Sequence, residues 1–371
     1  MLKYITYKRI EFIKIIMNNL IARKKEISEI KKAVKAEQSI ALVGPQYRGK
    51  TAILKSLEKE LEKRTVIYFH LASGYSLKNF AEQYSKLIFK SLSSKLKDIF
   101  EDSDKYLPRI KPKISSDAVK GIDISIDYHI GEEEIKAYIK QVLAMPARIC
   151  ADKKMKMVVV FDEFHYVEEL KEIDIAKEIF SGQGVTYVLA SSNEKALSKL
   201  IKNYHLDVKT LQIPRLPKSI LYELIDSEFS KAGIKTTESV KENIIKLADG
   251  EIAFIKHVLQ IMLDSVEEHA RVGLKDVSKA INLIVNFYDD IFHNYFFYLS
   301  NHQKVLVVAI AGFGGHQIFK GDFIFKNSLG SVPSVQTSIK ALIKKSFVYK
   351  DGQEYKFSNI FFLEWLKRKF L

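Results

Sequence analysis

Residues 39–57, SIALVGPQYRGKTAILKSL, admit few folds. Residues 40–43 are a short apolar run with the length and flanks of a buried strand, and residues 52–57 carry apolar side chains at helical spacing. Between them lies G-x-x-x-x-G-K-T, a turn that must reverse the chain within six residues. Gly44 and Gly49 supply backbone conformations that a Cβ penalises. The loop of Gly44, Pro45, Gln46, Tyr47, Arg48 and Gly49, with Lys50, Thr51 and Ala52 opening the helix, can turn backbone N–H groups onto one anion. Lys50 would carry its charge to the outer phosphates of a nucleotide, and the Thr51 hydroxyl would bind Mg²⁺.

Such a loop needs a partner to hold the metal and to orient water. Val158, Val159, Val160 and Phe161 form an apolar strand that ends in Asp162 and Glu163, 111 positions after Thr51. A buried strand of an open α/β sheet delivers its last residues to the edge where ligands bind. Asp162 is the expected Mg²⁺ ligand, and Glu163 the residue that polarises the attacking water. A third polar group, Asn193, follows the strand of residues 185–191, where it is expected to touch the γ-phosphate or the water, with a cap on the following helix as an alternative or an added role. The expected catalytic set is Lys50, Glu163 and Asn193, with ATP and Mg²⁺ as the small partners.

Strand patterns at residues 65–71, 156–161, 185–191 and 208–213 alternate with helical ones, which predicts a parallel sheet covered on both faces. Residues 76–96 read as a helix with Phe80, Tyr84, Leu87 and Ile88 on one face. Residues 98–131 read as irregular until GIDISIDYHIG, an alternating half-buried strand with Asp123, Asp127 and His129 on its polar face. Residues 132–144 read as a helix that Pro146 ends or kinks. After Pro214 strands cease, and residues 217–299 are helical. The aromatic run over residues 287–298 suits a core between these helices and the segment beyond, with base stacking the alternative.

The 371 residues carry 59 Lys+Arg against 45 Asp+Glu, a formal charge of +14. Residues 301–371 hold eleven Lys+Arg and four Asp+Glu, half of the net charge on a fifth of the length. Three short helices and a hairpin with Asp351 and Gly352 at its turn read as a winged helix. Its third helix buries Val335, Ile339, Leu342 and Ile343, and presents Ser334, Gln336, Thr337, Lys340, Lys344 and Lys345. With Lys350 on the hairpin these are the expected contacts to double-stranded DNA, a winged helix for protein contacts being the alternative. The single cysteine, Cys150, excludes an internal disulfide. Without a signal sequence or membrane span, a cytoplasmic protein is expected.

GPQYRGKT, VVVFDEFHYV and LASSN, followed by a helical lid and a winged segment, resemble the archaeal-type ATPase family. That family belongs to the STAND group of the AAA+ ATPases and is similar to origin-recognition initiator ATPases. The resemblance implies a P-loop NTPase three-layer α/β/α sheet of order 5-1-4-3-2, then an all-α lid and a winged helix-turn-helix domain. The implied layout is an N-terminal extension at 1–22, an ATPase domain at 23–214 with an insertion at about 91–131, a lid at 215–299 and a winged helix at 300–371. Arg23 and Glu26 match a segment that lies near adenine in the family. Where relatives carry a lid arginine this chain has Ala253, with Lys256 one turn on. The usual arginine-finger position is also unfilled, so slow basal hydrolysis and a nucleotide switch are expected. Arg215 is either a finger supplied across a homo-oligomer or part of a hinge salt bridge. The rival expectation is a signalling or scaffold switch whose winged helix and insertion bind a protein partner.

Overall fold

The computed structural model describes residues 23–93, 103–106, 112–117, 121–126, 132–170, 174–180, 182–265 and 271–371. The chain divides into two compact units: Met1–Pro45 with Gly49–Pro214, and Gln46–Arg48 with Arg215–Leu371.

The first unit is organised by a sheet whose three central strands are apolar and buried on both faces, while residues 65–70 alternate and residues 208–212 are largely exposed. The sheet strands are β1 (Ser39–Val43), β2 (Thr65–His70), β5 (Met157–Asp162), β6 (Val185–Ser191) and β7 (Val208–Gln212). All pair in parallel, in the order β2-β5-β6-β1-β7. Counting only these five, that is the expected 5-1-4-3-2. Side chains alternate between faces along each strand. Ile40 and Leu42 therefore join a core with helices Lys24–Lys35 and Lys50–Glu60, while Ala41 and Val43 join another with Leu77–Ser93 and Glu132–Asp152. Phe80, Tyr84 and Ile88 are fully buried, as their spacing predicts, while Leu87 is only partly buried against the same core.

Two local expectations change. The helix runs through Pro146 to Asp152. A helix-interior proline costs about 3 kcal/mol, but Val142, Leu143, Met145, Ile149 and Cys150 are all buried on this helix, each worth about 1.5–3 kcal/mol. The segment read as irregular contains β3 (Pro112–Asp117), which pairs antiparallel with β4 (Gly121–Ile126). Asp123 lies in β4, whereas Asp127 and His129 lie outside the described residues.

The second unit begins with helices Lys218–Lys231, Glu238–Leu247, Ile252–Ser265 and Leu274–Phe287. Helix Asp289–Phe297 leads into the winged segment: helices Asn301–Phe313, Gly321–Lys326 and Val332–Lys344, then β8 (Val348–Asp351) and β9 (Glu354–Phe357). A further helix, Ile360–Phe370, closes the chain and buries Trp365. Gly352, with φ 60°, makes the tight hairpin turn that only glycine, asparagine or aspartate adopts readily.

Candidate functional site

The loop after β1 meets the geometry that its glycines predict. Gly44 has φ 152° and Gly49 has φ 86°. A Cβ on Gly44 would sit 3.0 Å from the Ile213 carbonyl oxygen, a tight contact that adds to the conformational demand. Tyr47 is also left-handed, with φ 64°, a demand that the sequence pattern does not reveal. Within the C-terminal unit its ring lies 4.5 Å from that of Phe254, and Arg48 forms a buried ion pair with Glu251 at 2.8 Å. Burial pushes the Glu251 carboxyl up despite that arginine. Lys50 is buried, and its Nζ donates to the Gly44 and Pro45 carbonyl oxygens at 2.7 Å each. Neutral carbonyls are weaker partners for an ammonium than charged phosphate oxygens.

The sheet order brings Asp162 beside the loop. Thr51 Oγ1 donates to Asp162 Oδ2 at 2.7 Å. Asp162 is fully buried, and the same oxygen accepts from Tyr68 Oη at 2.9 Å and lies 3.5 Å from His70 Nδ1. Burial raises the Asp162 pKa, but hydrogen bonds from His70, Thr51 and Tyr68 outweigh it and hold the carboxyl below the usual range. The bond to Asp162 raises His70 in turn. Tyr68 and His70 are absent from the sequence reading. Their signal is positional: they alternate on β2, and the parallel register sets His70 opposite Asp162.

Glu163 is left-handed (φ 55°, ψ 44°) at the start of the 3-10 helix Phe164–Glu169. That conformation is uncommon for a residue with a Cβ. Its Oε2 accepts from the Ser192 backbone N–H at 2.9 Å and from Ser192 Oγ at 2.7 Å, and lies 3.3 Å from His165 Nδ1. Burial pushes His165 down, against the pull of Glu163; Ser191 Oγ sits 2.9 Å from the same Nδ1. Asn193, the residue singled out on β6, caps helix Glu194–Asn203 by accepting from the Ala196 N–H. The neighbouring serines make the contacts around Glu163, Ser192 to its Oε2 and Ser191 to His165.

Among the described residues no three His, Cys, Asp or Glu side chains are grouped to hold a metal ion by themselves. Thr51 and Asp162 offer two hard oxygen donors, which suits Mg²⁺ completed by phosphates and water. Arg23 donates to Glu26 at 2.5 Å and to the Pro214 carbonyl at 2.8 Å, so the pair fastens the start of the unit to its end.

In the second unit, Arg215 is held by Asp249 through both guanidinium nitrogens, at 2.6 and 3.1 Å, and by Tyr349 Oη at 3.0 Å. Arg215 is thus fixed by a salt bridge inside the second unit. Lys256 is buried, and burial lowers its ammonium to about 8.

Ser334, Gln336, Thr337, Lys340, Lys344, Lys345 and Lys350 are all exposed. The third winged helix begins at Val332, capped by Ser331. Its buried stripe is Val335, Ser338, Ile339 and Leu342, while Ile343 is 37% exposed. The correction has a polar cause. His302 bridges Ser338 Oγ at 2.7 Å and the Leu329 carbonyl at 2.9 Å, which rotates Ser338 inward. Thr337 Oγ1 donates back to the Pro333 carbonyl, and Ser334 meets Ser331 Oγ.

Residues 290–368 match a family model described as "Probable winged helix domain". Across nearly the whole chain the structure is similar to the Walker-type ATPase paby2304 of Pyrococcus abyssi. The identity is 14%, the match covers 93% of this chain and 95% of that one, and the TM-score is 0.60. The fold is that of a P-loop ATPase with a C-terminal winged helix. The ORC2 protein of Aeropyrum pernix, solved in ADPNP and ADP complexes, is similar at 13% identity, with 93% of each chain covered and a TM-score of 0.53. No curated protein matches the sequence. No helix among the described residues is long and apolar enough to cross a membrane.

Proposed function

We propose that this protein is a Mg²⁺-dependent ATPase of the AAA+/STAND type, a slow nucleotide switch whose winged helix binds double-stranded DNA. The observation that carries the reading is the 2.7 Å contact of Thr51 with Asp162, residues 111 positions apart. It joins the phosphate loop to the acidic end of β5, so that a metal held by both would meet the phosphates of a nucleotide in that loop. Lys50 would neutralise the outer phosphates. Glu163, pinned through Oε2, keeps Oε1 for water. Bound Mg²⁺ would supply charge neutralisation on the phosphates, and the chain would supply position and dry electrostatics. A switch of this kind belongs in the cytoplasm.

DNA binding is supported by positive charge that no nearby carboxylate offsets. Among the described residues no carboxylate lies within 4.0 Å of Lys340, Lys344, Lys345 or Lys350, whereas Lys356 and Lys367 are paired with Asp351 and Glu364. The test is ATP turnover with Mg²⁺ or chelator, with and without duplex DNA, alongside duplex binding at several salt concentrations. Loss of turnover on chelation, and affinity falling linearly in log–log salt, are the expected results. Turnover indifferent to chelation would remove the metal role. Duplex affinity absent at low salt would favour a protein-binding winged helix.

A further inference from the structure

The aromatic run at residues 287–298 behaves only partly as a core. Phe292 is buried, 5.7 Å from Phe362 and 6.4 Å from Trp365 between ring centres. Phe297 and Tyr298, in contrast, are 65% and 77% exposed. Two adjacent exposed rings need a reason, because each leaves a large apolar area in water.

Their surroundings are basic and belong to the winged segment. Lys304 Nζ lies 5.6 Å from the ring centres of both Phe296 and Phe297. Lys345, which caps the C-terminal end of helix Val332–Lys344, points its Nζ at the Tyr298 carbonyl at 3.5 Å and at Gln303 Oε1 at 3.2 Å. Among the described residues neither lysine has a carboxylate within 4.0 Å. Lysine is depleted at the centre of protein–protein interfaces, so uncompensated ammonium groups around bare rings are unsuited to an apolar partner. Ring faces for bases, with lysines for phosphates, are what single-stranded nucleic acid requires.

We propose that Phe297 and Tyr298, flanked by Lys304 and Lys345, stack unpaired bases of a single strand that continues from the duplex held by helix Val332–Lys344. The inference rests on the DNA-binding reading and sharpens its ligand to a junction of duplex and single strand. The helix sets the scale. From Ser334 to Lys345 it rises about 16 Å, or about five base steps of 3.4 Å along one strand. Bases that unpair at that distance from the groove contacts would reach the rings.

The test uses the full chain and three DNAs: a blunt duplex, the same duplex with an oligothymidine tail at one end or the other, and the tail alone. Wild type should bind one tailed form about tenfold more tightly than the blunt form, within the range measured for base–aromatic stacking. The double variant Phe297→Ala with Tyr298→Ala should lose that preference and keep its affinity for blunt duplex within about twofold. Phe297→Leu with Tyr298→Leu, which keeps apolar area and discards the flat rings, should lose it too. Unchanged thermal unfolding of both variants would show that they fold. If wild type binds blunt and tailed duplexes equally, the stacking site is overturned and the DNA-binding reading stands. If wild type binds none of the DNAs at low salt, both fall. If the variants abolish self-association in sedimentation and leave the tail preference intact, the rings serve a protein contact and the inference is overturned.

Discussion

Replacing Ser192 by alanine tests how Glu163 is held. Ser192 gives Glu163 Oε2 two hydrogen bonds, from its backbone N–H at 2.9 Å and its hydroxyl at 2.7 Å. Alanine deletes the second and keeps the first. A hydrogen bond to a charged group is worth about 1.5–3 kcal/mol. The remaining side-chain neighbour, His165, cannot compensate, because burial favours its neutral form and Ser191 Oγ competes for its Nδ1. If the lost bond serves wholly to orient the carboxylate toward water in the transition state, kcat falls about 10- to 150-fold. KM for ATP should stay within about twofold, because the hydrogen bonds of Ser192 go to Glu163 and not to the loop. Steady-state ATP turnover at saturating Mg²⁺ gives both constants. Ser192→Thr, which keeps a hydroxyl, should recover most of the rate. Glu163→Gln should bind ATP without hydrolysing it, and adding Ser192→Ala to it should cost nothing more, since both changes act on one contact. Turnover by Ser192→Ala equal to or faster than wild type would refute the positioning role and make the serine a restraint on Glu163.

The other expectations are more direct. Lys50→Ala should abolish nucleotide binding in a titration with a fluorescent ATP analogue while leaving far-ultraviolet circular dichroism unchanged, because Lys50 bonds loop carbonyls and is no part of either apolar core. Gly315→Ala should destabilise the winged segment by about 2–4 kcal/mol, read by chemical denaturation, through overpacking and a lost backbone bond. The added Cβ would fall 1.8 Å from the Tyr355 carbonyl oxygen and separate Tyr355 N–H from the Gly315 carbonyl. Lys340→Ala should weaken binding to every duplex and lower the slope of log affinity against log salt by about one.

Local chemistry made the glycine loop after β1 legible in one dimension. Its strand, two glycines, lysine and threonine are contiguous, and positive φ at Gly44 and Gly49 follows from what a Cβ forbids. Strands β1, β5 and β6 were legible for the same reason, since apolar runs buried on both faces need no alternation to be recognised. Asp162 and Glu163 drew notice only through their place at the end of such a run. What surrounds them was decided by strand order. His70, Tyr68 and Ser192 approach the acidic pair because β2 and β6 flank β5 in the sheet, an adjacency that no spacing along the chain encodes. Asn193 shows the same limit: a polar residue at a strand end reads alike whether it faces a phosphate or caps a helix. In the winged segment, helical periodicity could not choose between Ser338 and Ile343 at the margin of the stripe, and His302, 36 positions away from Ser338, settled it with a hydrogen bond. The hydrophobicity of Phe297 and Tyr298 is a property of the residues, but their exposure depends on which helices cover them, and only tertiary packing determines that.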